Sequence, residues 1–203
     1  MFQSPTDRLI LASASLSRRS LLAAAGLSFE VRPAEIDEAA VKRAARNEGA
    51  SAEMTALLLA DRKAQSIALR VPEALVIGAD QILVCEGVWF DKPADTAAAR
   101  TQLQALRGRS HMLATAVVCR RGDIRLWHTI ATPHLTMRDF SDRFLNCYLA
   151  VEAERVAGSV GGYRLEGRGI QLFDAVEGEY MAVLGLPLQA LLSFLRSNQI
   201  LMS

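Results

Sequence analysis

Three features of this 203-residue chain predict an α/β fold built on a mixed sheet. Short runs rich in Val, Ile and Leu stop at Gly, Pro or Asp, as strands do. Between them lie Leu/Ala stretches whose apolar residues recur every three or four positions, as in helices with one buried face. Apolar residues make up 51% of the chain, enough for a sizeable core and against disorder. A single unit of two lobes spanning 1–203 is expected from this length.

The elements follow in order. Leu9 to Ala12 is a strand that breaks at Ser13-Ala14-Ser15, and Arg18 to Ala25 is a helix closed by Gly26. Phe29 to Arg32 alternates as a strand and stops at Pro33. Ala39 to Glu48 and Ser51 to Leu69 are helices, ending near Gly49 and ahead of Pro72. Leu75 to Ala79 is a buried strand. Ile82 to Cys85 and Val88 to Phe90 flank a Glu86-Gly87 hairpin turn. Asp95 caps a helix to Leu106. His111 to Cys119 and Ile124 to Leu135 are β runs joined at Arg121-Gly122-Asp123. Asp139 to Glu154 is helical, and Gly158 to Gly169 is a glycine-dense loop of the kind that carries function. Ile170 to Val176 and Tyr180 to Leu184 are strand candidates. Pro187 suits the first position of a last helix running to about Ser197.

The net charge of +1 argues against a dedicated nucleic-acid binder, and no basic-aromatic interleaving occurs. No apolar run reaches the roughly 18 residues of a membrane span. Met1 to Asp7 has no basic region followed by an apolar core, so a cytoplasmic location is expected. Cys85, Cys119 and Cys147 are widely spaced in apolar runs and are expected to be buried free thiols. His111, His128 and His134 show no metal-ligand spacing and are expected to be structural.

The candidate chemistry begins at the first turn. Ser13, Ser15 and Ser17 precede Arg18 and Arg19 at a helix start, where free N–H groups and the helix dipole favour anions and guanidinium groups suit phosphate. An ordinary N-cap with a solvated arginine pair accounts for the same residues. Neither G-x-G-x-x-G nor a P-loop is present. Asp80 follows an apolar run, where a strand's carboxyl end places ligands, and could serve as a general base or a metal ligand. A turn-capping role is the plain alternative. Lys92 lies between a β run and Pro93, on a rigid turn. Lys63, within Asp61-Arg62-Lys63-Ala64, reads as part of a solvated helix face. Glu35, Asp37 and Glu38 suit a helix N-terminus and would equally suit Mg²⁺.

Together these segments resemble the Maf family of nucleoside triphosphate pyrophosphatases over essentially the whole chain. The likeness rests on Leu11-Ala12-Ser13-Ala14-Ser15 with Arg18, Ile36-Asp37-Glu38, Lys63-Ala64, Gly78-Ala79-Asp80 and Asp91-Lys92-Pro93. It continues through Leu106-Arg107-Gly108, Thr115-Ala116-Val117, Tyr163 to Gly167, Gly178-Glu179-Tyr180 and Gly185-Leu186-Pro187. The resemblance implies a Maf/ITPase-like two-lobed fold around an elongated, curved mixed sheet with a nucleotide cleft. It implies metal-dependent cleavage of a nucleoside triphosphate to the monophosphate and pyrophosphate, with Mg²⁺ or Mn²⁺. Asp80 then matches the catalytic proton acceptor, Glu38 and Asp80 the metal ligands, and Ser13, Ser15, Arg18, Lys63 and Lys92 the substrate-binding residues. The expected partner is the nucleotide, with neither nucleic acid nor membrane, and a homodimer stays open. A non-catalytic nucleotide-binding regulator of septum formation is the competing reading; it would need affinity but no base.

Ser17, Gln81 and Glu166 depart from the Arg/Thr/Gln set of the members that prefer dTTP and UTP. Gln81 and Glu166 are similar to the 7-methyl-GTP subgroup, which tends to carry Trp where Ser17 stands. Family members also carry Asp-Lys where this chain has Gly158-Ser159. Gln81 can donate and accept, whereas an ionised Glu166 only accepts. A carboxylate matches the N–H groups of a guanine edge and repels the carbonyl oxygens of uracil or thymine, which favours a purine-type base. A dTTP or UTP pyrophosphatase remains the alternative.

Overall fold

The computed structural model describes residues 3–4 and 8–202, so most of the leading segment 1–7 lies outside it. The chain runs β1 (Leu9–Leu11), α1 (Leu16–Ala24), β2 (Glu30–Val31), α2 (Glu38–Asn47), α3 (Ala52–Ala68), β3 (Leu75–Cys85), β4 (Val88–Phe90), α4 (Thr96–Leu106) and β5 (Ser110–Arg121). It continues through β6 (Ile124–Ala131), β7 (His134–Met137), α5 (Asp142–Glu152), β8 (Phe173–Glu177), α6 (Tyr180–Val183) and α7 (Leu188–Ser197), with 3₁₀ turns between α5 and β8. Ser15, Asp37, Ser51 and Asp95 each cap a helix by accepting the backbone N–H three residues on. The Ser15 cap starts α1 at Leu16, two residues before the expected Arg18.

The eight strands form one mixed sheet in the order β2-β1-β3-β5-β7-β8, with β4 on β3 and β6 on β5. β1 runs parallel to β2 and β3, and the remaining pairs are antiparallel. One edge of β3 pairs with β5 from Val76 to Val84. The other edge pairs with β1 at Leu75–Ile77 and with β4 at Leu83–Cys85. Residues 78–82 therefore have no strand neighbour on that edge among the described residues. The chain leaves β1 into α1 on one side of this gap and enters β4 on the other.

Side-chain alternation divides the core. Val76 and Ile82 of β3, with Ala114, Ala116 and Val118 of β5, pack under α3. On the opposite face, Leu75, Ile77, Ala79, Val117 and Cys119 pack against α1 and α7. Farther along the same face, Leu83, Cys85 and Leu113 pack against α4, α5 and Tyr163. These two clusters lie side by side along that face. Gln81 and Thr115, paired across β3 and β5, lie on that face between them.

Several elements differ from expectation. The strand containing Asp80 does not end at Ala79. Apolar residues continue on both faces to Cys85, and the antiparallel ladder with β5 carries Asp80 in mid-strand, opposite Ala116. The expected run Ile124 to Leu135 is two strands. Pro133, which has no N–H for a ladder, separates them, and β6 and β7 take different halves of β5. Tyr180 to Leu184 forms the short helix α6, not a strand. Gly178 and Gly185, at φ values of 102° and 101°, turn the chain sharply at both ends. The segment from Ile170 begins in a 3₁₀ turn and becomes extended only at Phe173. Pro187 is the N-cap of α7, not its first residue. Cys85 and Cys119 are buried, but Cys147 is exposed, because α5 buries Leu145, Tyr148, Leu149 and Glu152 and leaves position 147 off that face. No described helix is long and apolar enough to cross a membrane.

His111 is structural. It is 2% exposed, meets the Tyr163 hydroxyl at 2.8 Å and packs beside Phe173. Burial first, and then the His134 charge, lower its pKa to about 4. The native state thus favours the neutral ring. The resulting stability is complete above the ordinary histidine value of 6.5 and is lost as pH falls toward 4. Its size is roughly 3 kcal/mol. Urea unfolding of His111→Gln, which cannot titrate, should show a drop in stability between pH 7 and pH 4 that is smaller than the wild-type drop by about that amount. Equal drops would contradict this.

Candidate active site

The cleft opens at the unpaired stretch of β3 and receives both helix-starting loops beside it. Gly78 sets how closely α3 lies on the sheet beside it. A Cβ there would fall 2.8 Å from the Ala64 nitrogen and closer still to the Ala60 carbonyl oxygen, so only glycine lets α3 lie this near the sheet. Asp80 is the next residue on the same face, and Lys63 lies on the helix face that touches it. The Lys63 ammonium stands 2.6 Å from Asp80 Oδ1 and 2.8 Å from Glu38 Oε1. Lys63 is 7% exposed and Asp80 is 4% exposed. The expected solvated helix face is therefore wrong at position 63, because the close helix–sheet packing turns it inward.

The first turn forms the adjacent wall. Ser15 caps α1 through the Arg18 N–H, and the Ser15 N–H donates to Ser13 Oγ. The buried Arg18 guanidinium donates to Ser13 Oγ at 3.1 Å and to the Gly185 carbonyl at 2.8 Å. Arg18 is thus a fixed cation and not part of a solvated pair, whereas Arg19 is exposed. Lys92, on the turn after β4, is exposed and lines the same cleft. The site's charges act on one another. Burial lowers the Arg18 pKa, opposed by Asp80 and Glu38. Partial desolvation, and then the Arg18 charge, lower that of Lys92. For Glu38, desolvation is outweighed by Lys63, Lys42 and Lys92, which hold the carboxyl below its ordinary value. Three cations that crowd one another in this way favour a multiply charged anion.

Asp37 and Glu38 fill the helix-start role read from the sequence. Asp37 caps α2 by accepting the Ala40 N–H at 2.8 Å, and Glu38 turns into the cleft toward Lys63. Asp80 Oδ2 is buried and accepts no hydrogen bond from the described residues. Two carboxylates with one open oxygen fit Mg²⁺, which takes one or two carboxylates and completes its shell with phosphate oxygens and water. Among the described residues, no cluster of three or more His, Cys, Asp or Glu side chains is arranged to hold a metal.

Ser17, Gln81 and Glu166 also border the cleft. Ser17 Oγ lies 3.4 Å from Glu166 Oε1 across the mouth. Gln81 points to the sheet face opposite Asp80, and its Nε2 donates to Thr115 Oγ1 at 2.7 Å and to the Ala182 and Val183 carbonyls at 3.0 and 3.2 Å. The glycine-dense loop contributes Gly158 to Val160 and Tyr163 to Glu166 to the opposite wall.

Sequence reasoning missed several lining residues. Arg164 lies 3.4 Å from Glu166 and 3.8 Å from the buried Glu152. Lys42 and Arg46 on α2 also line the cleft, and Lys42 pairs with Asp91 at 2.6 Å. Their spacing of four on one helix is the signal that could have found them.

A family profile described as Maf-like protein matches residues 8–198. A nucleoside triphosphate pyrophosphatase of Granulibacter bethesdensis is 57% identical over 96% of this chain and 98% of its own. Another protein of that name, from Paramagnetospirillum magneticum, is 50% identical over 93% and 97%. A 7-methyl-GTP pyrophosphatase of Rhizobium johnstonii is 47% identical over 94% and 96%. A solved nucleoside-triphosphatase (dITP/XTP pyrophosphatase) from Mycobacterium abscessus aligns over 94% of both chains at 13% identity and a TM-score of 0.43, too distant to carry weight.

The buried pair has a measurable consequence. Lys63→Met strands the Asp80 carboxylate and should cost about 3 kcal/mol or more in urea unfolding. Adding Asp80→Asn to that variant removes the stranded charge and should recover much of the loss. Strictly additive losses would show that the two residues are not coupled.

Proposed function

The chain belongs to the family of Maf-like proteins, and from that premise we propose that it hydrolyses nucleoside triphosphates to the monophosphate and pyrophosphate. One observation carries the proposal. A buried carboxylate with an open oxygen, Asp80, is paired to Lys63 inside a cleft that also holds Arg18 and Lys92. A non-catalytic nucleotide binder would need the cations but not the open carboxylate oxygen.

In this reading Arg18, Lys63 and Lys92 neutralise the triphosphate, with the Ser13 and Ser15 hydroxyls and the start of α1 beside it. The Asp80 carboxylate accepts the proton of a water whose oxygen bonds to the α-phosphorus. The α–β bridging bond breaks, and pyrophosphate leaves with the bridging oxygen. Glu38 and Asp80 would hold a divalent cation, Mg²⁺ or Mn²⁺, which when bound supplies charge neutralisation on the phosphates. Lys63 keeps both carboxylates in place. Charge stabilisation supplies most of the acceleration, as in other phosphoryl chemistry.

The base preferred is of the guanine type, 7-methylguanine included. Glu166 at the cleft mouth supports this, since an anionic acceptor suits N–H donors and a cationic methylated ring. The Rhizobium relatives named 7-methyl-GTP pyrophosphatase support it as well. The partner proposed is the nucleotide. A cytoplasmic location, where the triphosphate pool lies, belongs to the same proposal.

The test is pyrophosphate release from a panel of natural and methylated triphosphates with Mg²⁺ and Mn²⁺. Asp80→Asn should lower turnover about a hundredfold or more while nucleotide still binds. Near-normal turnover by this variant would remove Asp80 as the base, and a wild-type preference for UTP or dTTP would overturn the guanine assignment.

A further inference from the structure

Gln81 and Thr115 are polar residues between two apolar clusters on one sheet face, with Ala79, Leu83, Leu113 and Val117 as their apolar neighbours along the strands. They pair directly across β3 and β5, and Thr115 is fully buried. A free glutamine amide both donates and accepts. Here its orientation is determined. The Ala182 and Val183 carbonyls can only accept, and they lie 3.0 and 3.2 Å from Gln81 Nε2. The Thr115 hydroxyl gives its hydrogen to the Ala182 carbonyl at 3.0 Å, so toward Gln81 it too only accepts, at 2.7 Å. The two amide hydrogens are therefore committed to protein acceptors. The remaining polar atom, Oε1, is the acceptor that Gln81 has left to offer to the cleft it lines.

We infer that Thr115 is a positioning residue for base selection, locking Gln81 so that its carbonyl oxygen alone meets the base of the nucleotide. This rests on the nucleotide reading above and extends it to a residue that never touches substrate. With Oε1 and the Glu166 carboxylate on its walls, the cleft takes a base edge that presents adjacent N–H donors. Guanine does so through N1–H and its exocyclic amino group. Uracil and thymine present one N–H between two carbonyl oxygens, each of which meets an acceptor. A glutamine free to rotate would turn its amide toward those oxygens and lose the discrimination. α6 takes part as well, because its carbonyls accept from the same amide that Thr115 holds at 2.7 Å, the shortest of the three contacts.

The experiment measures GMP and UMP binding by calorimetry, which needs neither hydrolysis nor metal. It compares wild type, Thr115→Val, Thr115→Ser, Gln81→Met and the Thr115→Val/Gln81→Met double variant, with melting temperatures to establish that each is folded. Wild type should bind GMP about tenfold or more tightly than UMP, the worth of one or two hydrogen bonds. Thr115→Val, nearly the same shape, should bring the ratio to within about threefold. Thr115→Ser, which keeps the hydroxyl, should retain the wild-type ratio. The double variant should match Gln81→Met alone, since a residue acting through Gln81 has nothing further to lose. An unchanged ratio in Thr115→Val, an equal loss in Thr115→Ser, additive losses in the double variant, or no GMP preference in the wild type would each overturn the inference. GMP preference without pyrophosphate release from any triphosphate would instead fail the catalytic proposal and leave this one standing.

Discussion

The site depends on the contact between α3 and β3 at Gly78. Protein interiors are packed closely enough that a single added carbon is felt. At Gly78 the space for that carbon is already taken by helix backbone at Ala60 and Ala64. This close approach makes Lys63 a buried cation and puts it on Asp80. A helix lying farther from the sheet would leave Lys63 in water and Asp80 a buried carboxylate without a partner. Burying such a charge alone is costly, so the pair and the packing that forms it stand or fall together.

Strand pairing then opens the site. β3 pairs with three other strands, yet for five residues one edge carries no neighbour among the described residues, because β1 ends before β4 begins. Asp80 and Gln81 fall in that interval and point to opposite faces. The carboxylate chemistry accordingly sits under α3, on the face with the continuous core. The candidate base-reading amide sits on the face where two apolar clusters adjoin. One short interval of strand thus separates the proposed reaction from the proposed recognition by the alternation of side chains alone.

Much of this was legible in the sequence, for reasons that differ by residue. Helix caps at Ser15, Asp37, Ser51 and Asp95 are local signals and could be read directly. The Glu86-Gly87 hairpin was legible for the same reason, both residues having positive φ. Asp80 was recognisable as a candidate, but its mid-strand setting was not, since pairing with β5 is a long-range fact. Lys63 reads as solvent-facing on composition because its neighbours Asp61 and Arg62 suit a solvated face, and only the family resemblance places it in the cleft. Thr115 and Arg164 escaped notice as site residues. A threonine in a β run and an arginine in a loop carry no local sign of what the fold sets opposite them. The α6 segment reads as a strand because so few apolar-rich residues show no period, and the turning role of the two glycines that bend it is legible only as backbone angles.

The most direct measurement of the central claim is made on Gly78→Ala, by urea unfolding together with pyrophosphate release from triphosphate. The added methyl forces α3 away from the sheet. Stability should fall by about 1–3 kcal/mol or more, and turnover of the folded protein should fall at least about tenfold as Lys63 withdraws from Asp80. Wild-type stability and turnover in this variant would contradict the account, because the contact at Gly78 would then not be what brings the lysine and the carboxylate together.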